Sequence, residues 1–122
     1  MNNITTKVCK TSDIGVNDNL FGGVMLSWLD ESGAILACNT AQSRRMVTVM
    51  MDKVIFKEPV KVGDQIRIYG DILKIGNTSI TISLEARRYE FNTNTETIVC
   101  STEMVFVHIG EDGHSKELEI NG

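Results

Sequence analysis

The chain has 122 residues, 42% of them hydrophobic and 23% charged, and its formal net charge is −4. That length suits one domain. The acidic balance excludes a protein whose main business is DNA or RNA, because phosphate binding needs a basic footprint, though it allows a local patch for one phosphorylated ligand.

In chain order, Ile4 to Lys10 predicts a short strand and Thr11 to Asn19, rich in Asp, Asn, Ser and Gly, a loop. Phe21-Gly22-Gly23 leads into the longest helical candidate, about Gly23 to Ala41. Its apolar residues, Leu26, Trp28, Leu29, Ile35 and Leu36 among them, cover more than one stripe, as in a helix buried in a core. Asp30 and Glu31 interrupt that apolar segment and point about 100° apart around an ideal helix. After Arg45, Val47 to Lys57 is rich in Val, Met, Ile and Phe. Pro59 and Gly63-Asp64 then punctuate a turn. Gln65 to Ile75 alternates Ile66, Ile68 and Ile72 with Arg67, Tyr69 and Asp71, which is strand periodicity. Gly76-Asn77 marks a hairpin, after which Ile80, Ile82, Leu84 and Ala86 alternate with polar residues. A polar tip at Asn92 to Thr95 leads to a last strand, roughly Thr97 to Ile109. From residue 110 onward a polar, partly ordered tail is expected.

The predicted class is α+β: one antiparallel sheet curled round a single helix, within a single domain over residues 1–122. Such a sheet leaves an edge and part of the helix uncovered, and pairing two copies edge to edge covers both. Cys9, Cys38 and Cys100 are widely spaced with no Cys-x-x-Cys pair, and His108 and His114 are the only histidines. Neither a metal site nor a disulfide framework is therefore expected. No apolar run approaches the ~18 residues of a membrane span, and Met1 to Lys10 has no apolar leader segment. A cytoplasmic protein without membrane insertion is the expectation.

Three blocks then match a known family. Leu20-Phe21-Gly22-Gly23 with Leu29-Asp30-Glu31-Ser32-Gly33-Ala34 resembles the start of the central helix in hotdog-fold acyl-CoA thioesterases. Phe56-Lys57-Glu58-Pro59-Val60-Lys61-Val62-Gly63-Asp64, preceded by Val47-Thr48-Val49, resembles their second signature block, and Gly76-Asn77-Thr78-Ser79-Ile80 is similar to a third. The resemblance spans residues 5 to 110 and is nearest to the short bacterial acyl-CoA hydrolases of broad acyl-chain tolerance. It implies hydrolysis of acyl-CoA to free acid and CoA with no cofactor beyond the substrate's own CoA. It also implies a homodimer assembled further as a trimer of dimers, and no nucleic-acid partner.

Thioester hydrolysis needs an activated water or a nucleophile, a stabilised oxyanion, and a grip on acyl group and CoA. Asp30 suits the first need, as general base or as direct nucleophile; the alternative for it is a plain helix carboxylate paired with a surface cation. Glu31 reads as a solvent or interface residue, with a minor chance of carrying the chemistry itself. Gly22 and Gly23 suit the second, since a helix N-terminus presents free N–H groups and the positive end of a dipole. Asn19 adds an amide donor, with Asn17 as its rival; the alternative is an ordinary capped helix start. The resemblance implies that Asn19 of one chain faces Asp30 of its partner. Candidate grips on CoA are Arg44, Arg45, Lys57, Lys74, Thr78, Ser79, Arg87 and Arg88, many of which are expected to be merely solvated. Arg87 and Arg88 should point to opposite faces of their strand. Met50, Met51, Val54 and Phe56 are candidates for the acyl tunnel, and Gly33 for close helix packing. A hotdog dehydratase would carry an early histidine, and none precedes the helix. The competing readings are a non-catalytic acyl-CoA-binding or sensing module, and a structural subunit.

Overall fold

A computed structural model describes residues 1–120. Strand β1 (Asn2–Val8) is followed by a 3-10 turn at Thr11–Asp13 and by helix α1 (Gly22–Ala41). Four strands complete the chain, β2 (Met46–Phe56), β3 (Gln65–Ile75), β4 (Ser79–Glu90) and β5 (Thr95–His108). They form one antiparallel sheet in the order β1-β3-β4-β5-β2. This is the predicted α+β arrangement, and the loop expected before the helix gains only its single 3-10 turn.

The sheet's inner face is legible as alternation. Ile66 and Ile68 on β3, Ile80, Ile82, Leu84 and Ala86 on β4, and Met104 and Phe106 on β5 are all fully buried against the helix. Helix α1 answers with Met25, Leu29, Gly33, Ala37 and Ala41, each four residues after the last, one face only. The expectation of a helix buried nearly all round is thus corrected for the single chain: Asp30, Glu31 and Ile35 face outward. Gly33 lets the helix lie flush on the sheet. A Cβ there would meet Ile82, Phe106 and Met104 atoms at 3.0–3.1 Å, closer than side chains normally pack. The helix ends at Gln42, whose left-handed backbone (φ 53) directs its N–H back to the Cys38 carbonyl.

The chain beyond β5 packs back onto the fold instead of trailing away as the expected polar tail. Ile109 pairs with Ser115, the Leu118 N–H donates to the Asn77 carbonyl, and Leu118 and Ile120 pack against the core. The buried His108 fastens this segment. Its Nδ1 faces the carbonyls of Lys116 (3.2 Å) and Glu117 (3.1 Å) and therefore donates to them, while Nε2 shares a hydrogen bond with Ser43 Oγ at 3.2 Å.

The two sheet edges differ. The outer strand β1 exposes mainly Asn2, Asn3, Thr6 and Val8, whereas β2 exposes Val47, Val49, Met50, Ile55 and Phe56. An apolar edge strand is an invitation to pair.

Candidate active site

Two hollows lie at opposite ends of α1. The first, ≈ 390 Å³, opens at the helix N-terminus and is walled by Leu20, Met25, Phe56, Pro59, Val60 and Val99, with Asn19, Gly22, Lys57 and Glu58 adding polar atoms. The sequence builds it from three connections. The loop before the helix is closed by an Ile14–Leu20 bridge and tied to the β2–β3 connection by the Leu20 N–H, which donates to the Val60 carbonyl at 2.7 Å. That connection is tied in turn to β5, with the Lys57 N–H donating to the Val99 carbonyl at 2.8 Å. Helix α1 starts between them with Phe21 as its cap residue and no side-chain cap. The N–H groups of Gly22 and Gly23 accordingly find no acceptor among the described residues, while those of Val24 and Met25 donate to the Phe21 carbonyl. Free donors at the positive end of a helix dipole, facing an apolar hollow, suit an oxygen that gains negative charge.

Asn19 lies on the wall of this hollow, and its Oδ1 accepts from Lys61 Nζ at 2.6 Å. Lys57 reaches the rim and has no ion-pair partner among the described residues. Arg88 stands behind the wall: its Nη1 donates to the Pro59 carbonyl at 2.7 Å and its Nε to Glu90 at 2.8 Å. Glu90 is held below the usual carboxylate range, chiefly by that Arg88 hydrogen bond. Of the four residues expected around an acyl chain, only Phe56 lines the hollow. Met51 and Val54 pack against the core and Met50 faces outward.

Asp30 is elsewhere. It lies eight residues along the helix from Gly22, about 12 Å on a 1.5 Å rise, and is exposed on the side facing edge strand β2. Thr48 Oγ1 donates to its Oδ1 at 2.6 Å. The greasy setting expected around this carboxylate is absent from the single chain, because the apolar side of α1 points the other way. Glu31 turns to the opposite edge and pairs with Lys7 Nζ at 2.9 Å, so the two neighbouring carboxylates serve different sides of the helix.

The other expected CoA-binding residues separate. Arg44 and Arg45 follow the helix C-terminus, and Thr78 at the end of the β3–β4 connection and Ser79 at the start of β4 lie near it, where the Thr78 carbonyl accepts from the His108 N–H at 2.7 Å. Of these only Arg45 lines the second hollow, ≈ 710 Å³, which the C-terminal segment encloses with His108, Glu111, Lys116 and Glu119 among its walls. Its cations are matched by carboxylates, Arg45 by Glu111 (3.9 Å) and Lys116 by Glu119 (3.7 Å). Arg87 sits on the convex face of the sheet, on the side opposite Arg88. It is bound to Glu85 at 2.9 Å and Glu96 at 3.3 Å and stacked 4.0 Å from the centre of the Tyr69 ring. In the single chain a guanidinium so engaged has few donors left over for a phosphate. Sequence reading missed Thr48 and Lys61 as partners of site residues. No local pattern links them, since the contacts join residues 18 and 42 positions apart.

Among the described residues no helix is long and apolar enough to cross a membrane, and no cluster of His, Cys, Asp and Glu has the makings of a metal site.

Comparison with known proteins agrees with this architecture. The family model of the Thioesterase superfamily matches residues 17–92. Acyl-CoA thioester hydrolase YciA of Salmonella typhimurium is 34% identical over 124 residues, covering 91% of this chain and 85% of the relative. Among solved structures, the hexameric hotdog fold thioesterase of Campylobacter jejuni has a TM-score of 0.85 at 34% identity, over 96% of this chain and 90% of that one. The hexameric thioesterase of Yersinia pestis gives 0.89 at 30% identity, over 96% and 94%. This chain belongs to the thioesterase superfamily and has the hotdog fold.

Proposed function

From that membership we infer that the protein hydrolyses acyl-CoA thioesters to free carboxylic acid and CoA. The observation that carries the reading is the set of unpartnered donors at the helix start: the Gly22 N–H and the Asn19 amide on the wall of one apolar hollow, with the Gly23 N–H next along the chain. A thioester carbonyl seated there becomes more electrophilic, and the oxyanion formed on attack meets hydrogen bonds already in place. Asp30 supplies the carboxylate, either removing a proton from water or attacking to form an anhydride that water then opens. CoA leaves as its thiol. The reaction as written consumes only water and calls for no metal or redox cofactor.

Because Asp30 lies about 12 Å along the helix from Gly22, the site is completed between chains. The β2 edge, with Val47, Val49 and Met50 exposed, joins its two-fold copy. Asp30, anchored to Thr48 on that edge, then faces the hollow of its partner. Two-fold pairing sets the helices antiparallel, which brings Arg44, Arg45, Thr78 and Ser79 of one protomer toward Lys57 at the other's cavity mouth. There they meet the phosphates of CoA. The relatives that form hexamers support further assembly as a trimer of dimers. Three free cysteines, Cys9, Cys38 and Cys100, suit the reducing cytoplasm.

The test is turnover of an acyl-CoA panel of increasing chain length, with released CoA read by a thiol reagent and oligomer mass by light scattering. Release from at least one chain length by an oligomer is expected. Tight binding without release by any substrate would sink the hydrolase and leave a binding module.

A further inference from the structure

We propose that Lys61 is a positioning residue for this site: its ammonium turns the Asn19 amide so that the NH2 group, and not the oxygen, faces the substrate. The proposal rests on the hydrolase reading above. The two ends of an asparagine amide are alike in size and opposite in hydrogen-bonding sense, so the surroundings decide which end a substrate meets. Lys61 Nζ stands 2.6 Å from the Asn19 side chain. An ammonium carries three donors and no acceptor, which obliges the atom facing it to be Oδ1. The Nδ2 group finds no acceptor among the described residues, and Asn19 shares the hollow with Gly22, whose N–H is also free.

The aim of Lys61 is fixed by its own turn. Its N–H donates to Asp64 Oδ2 at 2.8 Å, and the Asp64 N–H donates back to the Lys61 carbonyl at 3.0 Å. Gly63 closes the loop at φ 92, a backbone that side chains rarely adopt. Val60, immediately before, holds Leu20, immediately after Asn19, by a 2.7 Å backbone hydrogen bond. The turn and the loop are thereby laid side by side, and a long flexible side chain is delivered to residue 19. A charge-assisted bond at Oδ1 also polarises the amide and strengthens its NH2 as a donor. Without the cation the amide is free to flip and set its oxygen lone pairs against the developing oxyanion. That repulsion grows with the charge, so it acts on the transition state more than on bound substrate.

The experiment is a double-mutant cycle read in kcat and KM. Lys61 is exposed, so its variants should fold, as circular dichroism will show. Lys61→Met should lower kcat about tenfold, within the range of a weakened oxyanion donor, and leave KM within about twofold. Lys61→Arg, another donor-only cation, should recover most of the loss. In an Asn19→Ala background, Lys61→Met should change kcat by less than about twofold, because the residue it acts through is gone. Equal losses in both backgrounds, a loss confined to KM, or wild-type kcat in Lys61→Met would each overturn the proposal. Those results leave the hydrolase reading intact provided the unmutated protein releases CoA; if it releases none, both readings fall together.

Discussion

The convex face of the sheet and the mouth of the cavity draw on the same residue types and end in opposite conditions. On the convex face Arg67 and Arg87 stack over Tyr89 and Tyr69, and both are paired with Glu96, with Glu85 as a second partner of Arg87. The Tyr69 hydroxyl donates to Glu96 as well. At the cavity mouth two glycine N–H groups lack acceptors and Lys57 lacks a carboxylate, and farther along the same helix Asp30 holds one threonine hydroxyl while exposed. Satisfied polar groups hold a fold together, and unsatisfied ones beside a hollow are available to a ligand. Chemistry is to be sought where hydrogen bonding is incomplete, not where charge is densest.

The largest expected effect comes from Asp30→Asn. It keeps shape and removes charge, so kcat should fall by about 10³-fold, roughly 4 kcal/mol of transition-state stabilisation. Circular dichroism and oligomer mass should stay unchanged. Turnover near that of the unmutated enzyme would break the contrast, because the incomplete region would then carry no chemistry. The converse is Glu96→Gln on the convex face. Weakening hydrogen bonds to a charged group should cost about 1–2 kcal/mol in urea unfolding, with kcat/KM unchanged.

A pH series sharpens the same contrast. The Tyr69 hydrogen bond, aided by Arg87 and Arg67 and opposed by partial burial, holds the Glu96 carboxyl below its usual range. A depressed folded pKa gives stabilisation that is complete above the unfolded value of about 4.3 and is lost as pH falls through the folded one. The stability difference between the unmutated protein and Glu96→Gln should therefore be full at neutral pH and shrink steadily below about pH 4. A difference that grew on acidification would contradict the assigned pairing. The smallest effect concerns the core that divides the two regions. Burial pushes the Cys100 thiol up to about 11, so native protein at pH 8 should be alkylated first at half-buried Cys38. Cys100 should react only on unfolding, as followed by mass spectrometry.

Much of the fold was readable because its signals are local. The alternation of Ile66 with Ile68 and of Ile80 through Ala86 marks β3 and β4, and Gly22-Gly23 with Gln42 brackets the helix within a residue of expectation. The resemblance carried the architecture further than periodicity alone. What escaped depends on contacts between distant positions. Strand β2 lies at an edge because it pairs with β5, about fifty residues away, and nothing within Met46–Phe56 announces that. Strand parity already sends Arg87 and Arg88 to opposite faces, but that one meets Glu96 and the other Pro59 emerges only in the fold. Leu118 reads as part of a trailing end until the segment is seen folded back over Asn77. Which side of the helix Asp30 occupies follows only from the packing of Leu29 and Gly33 beneath it.

On the proposed two-fold pairing, the exposed side of α1 would make Asp30 useless to its own cavity and useful to a neighbour's. On this arrangement a lone, well-folded chain is silent, and rate per mole of protein becomes a function of concentration. Specific activity should decline on dilution well before any loss of secondary structure, and recover on reconcentration. Expression level would then tune flux more steeply than in proportion.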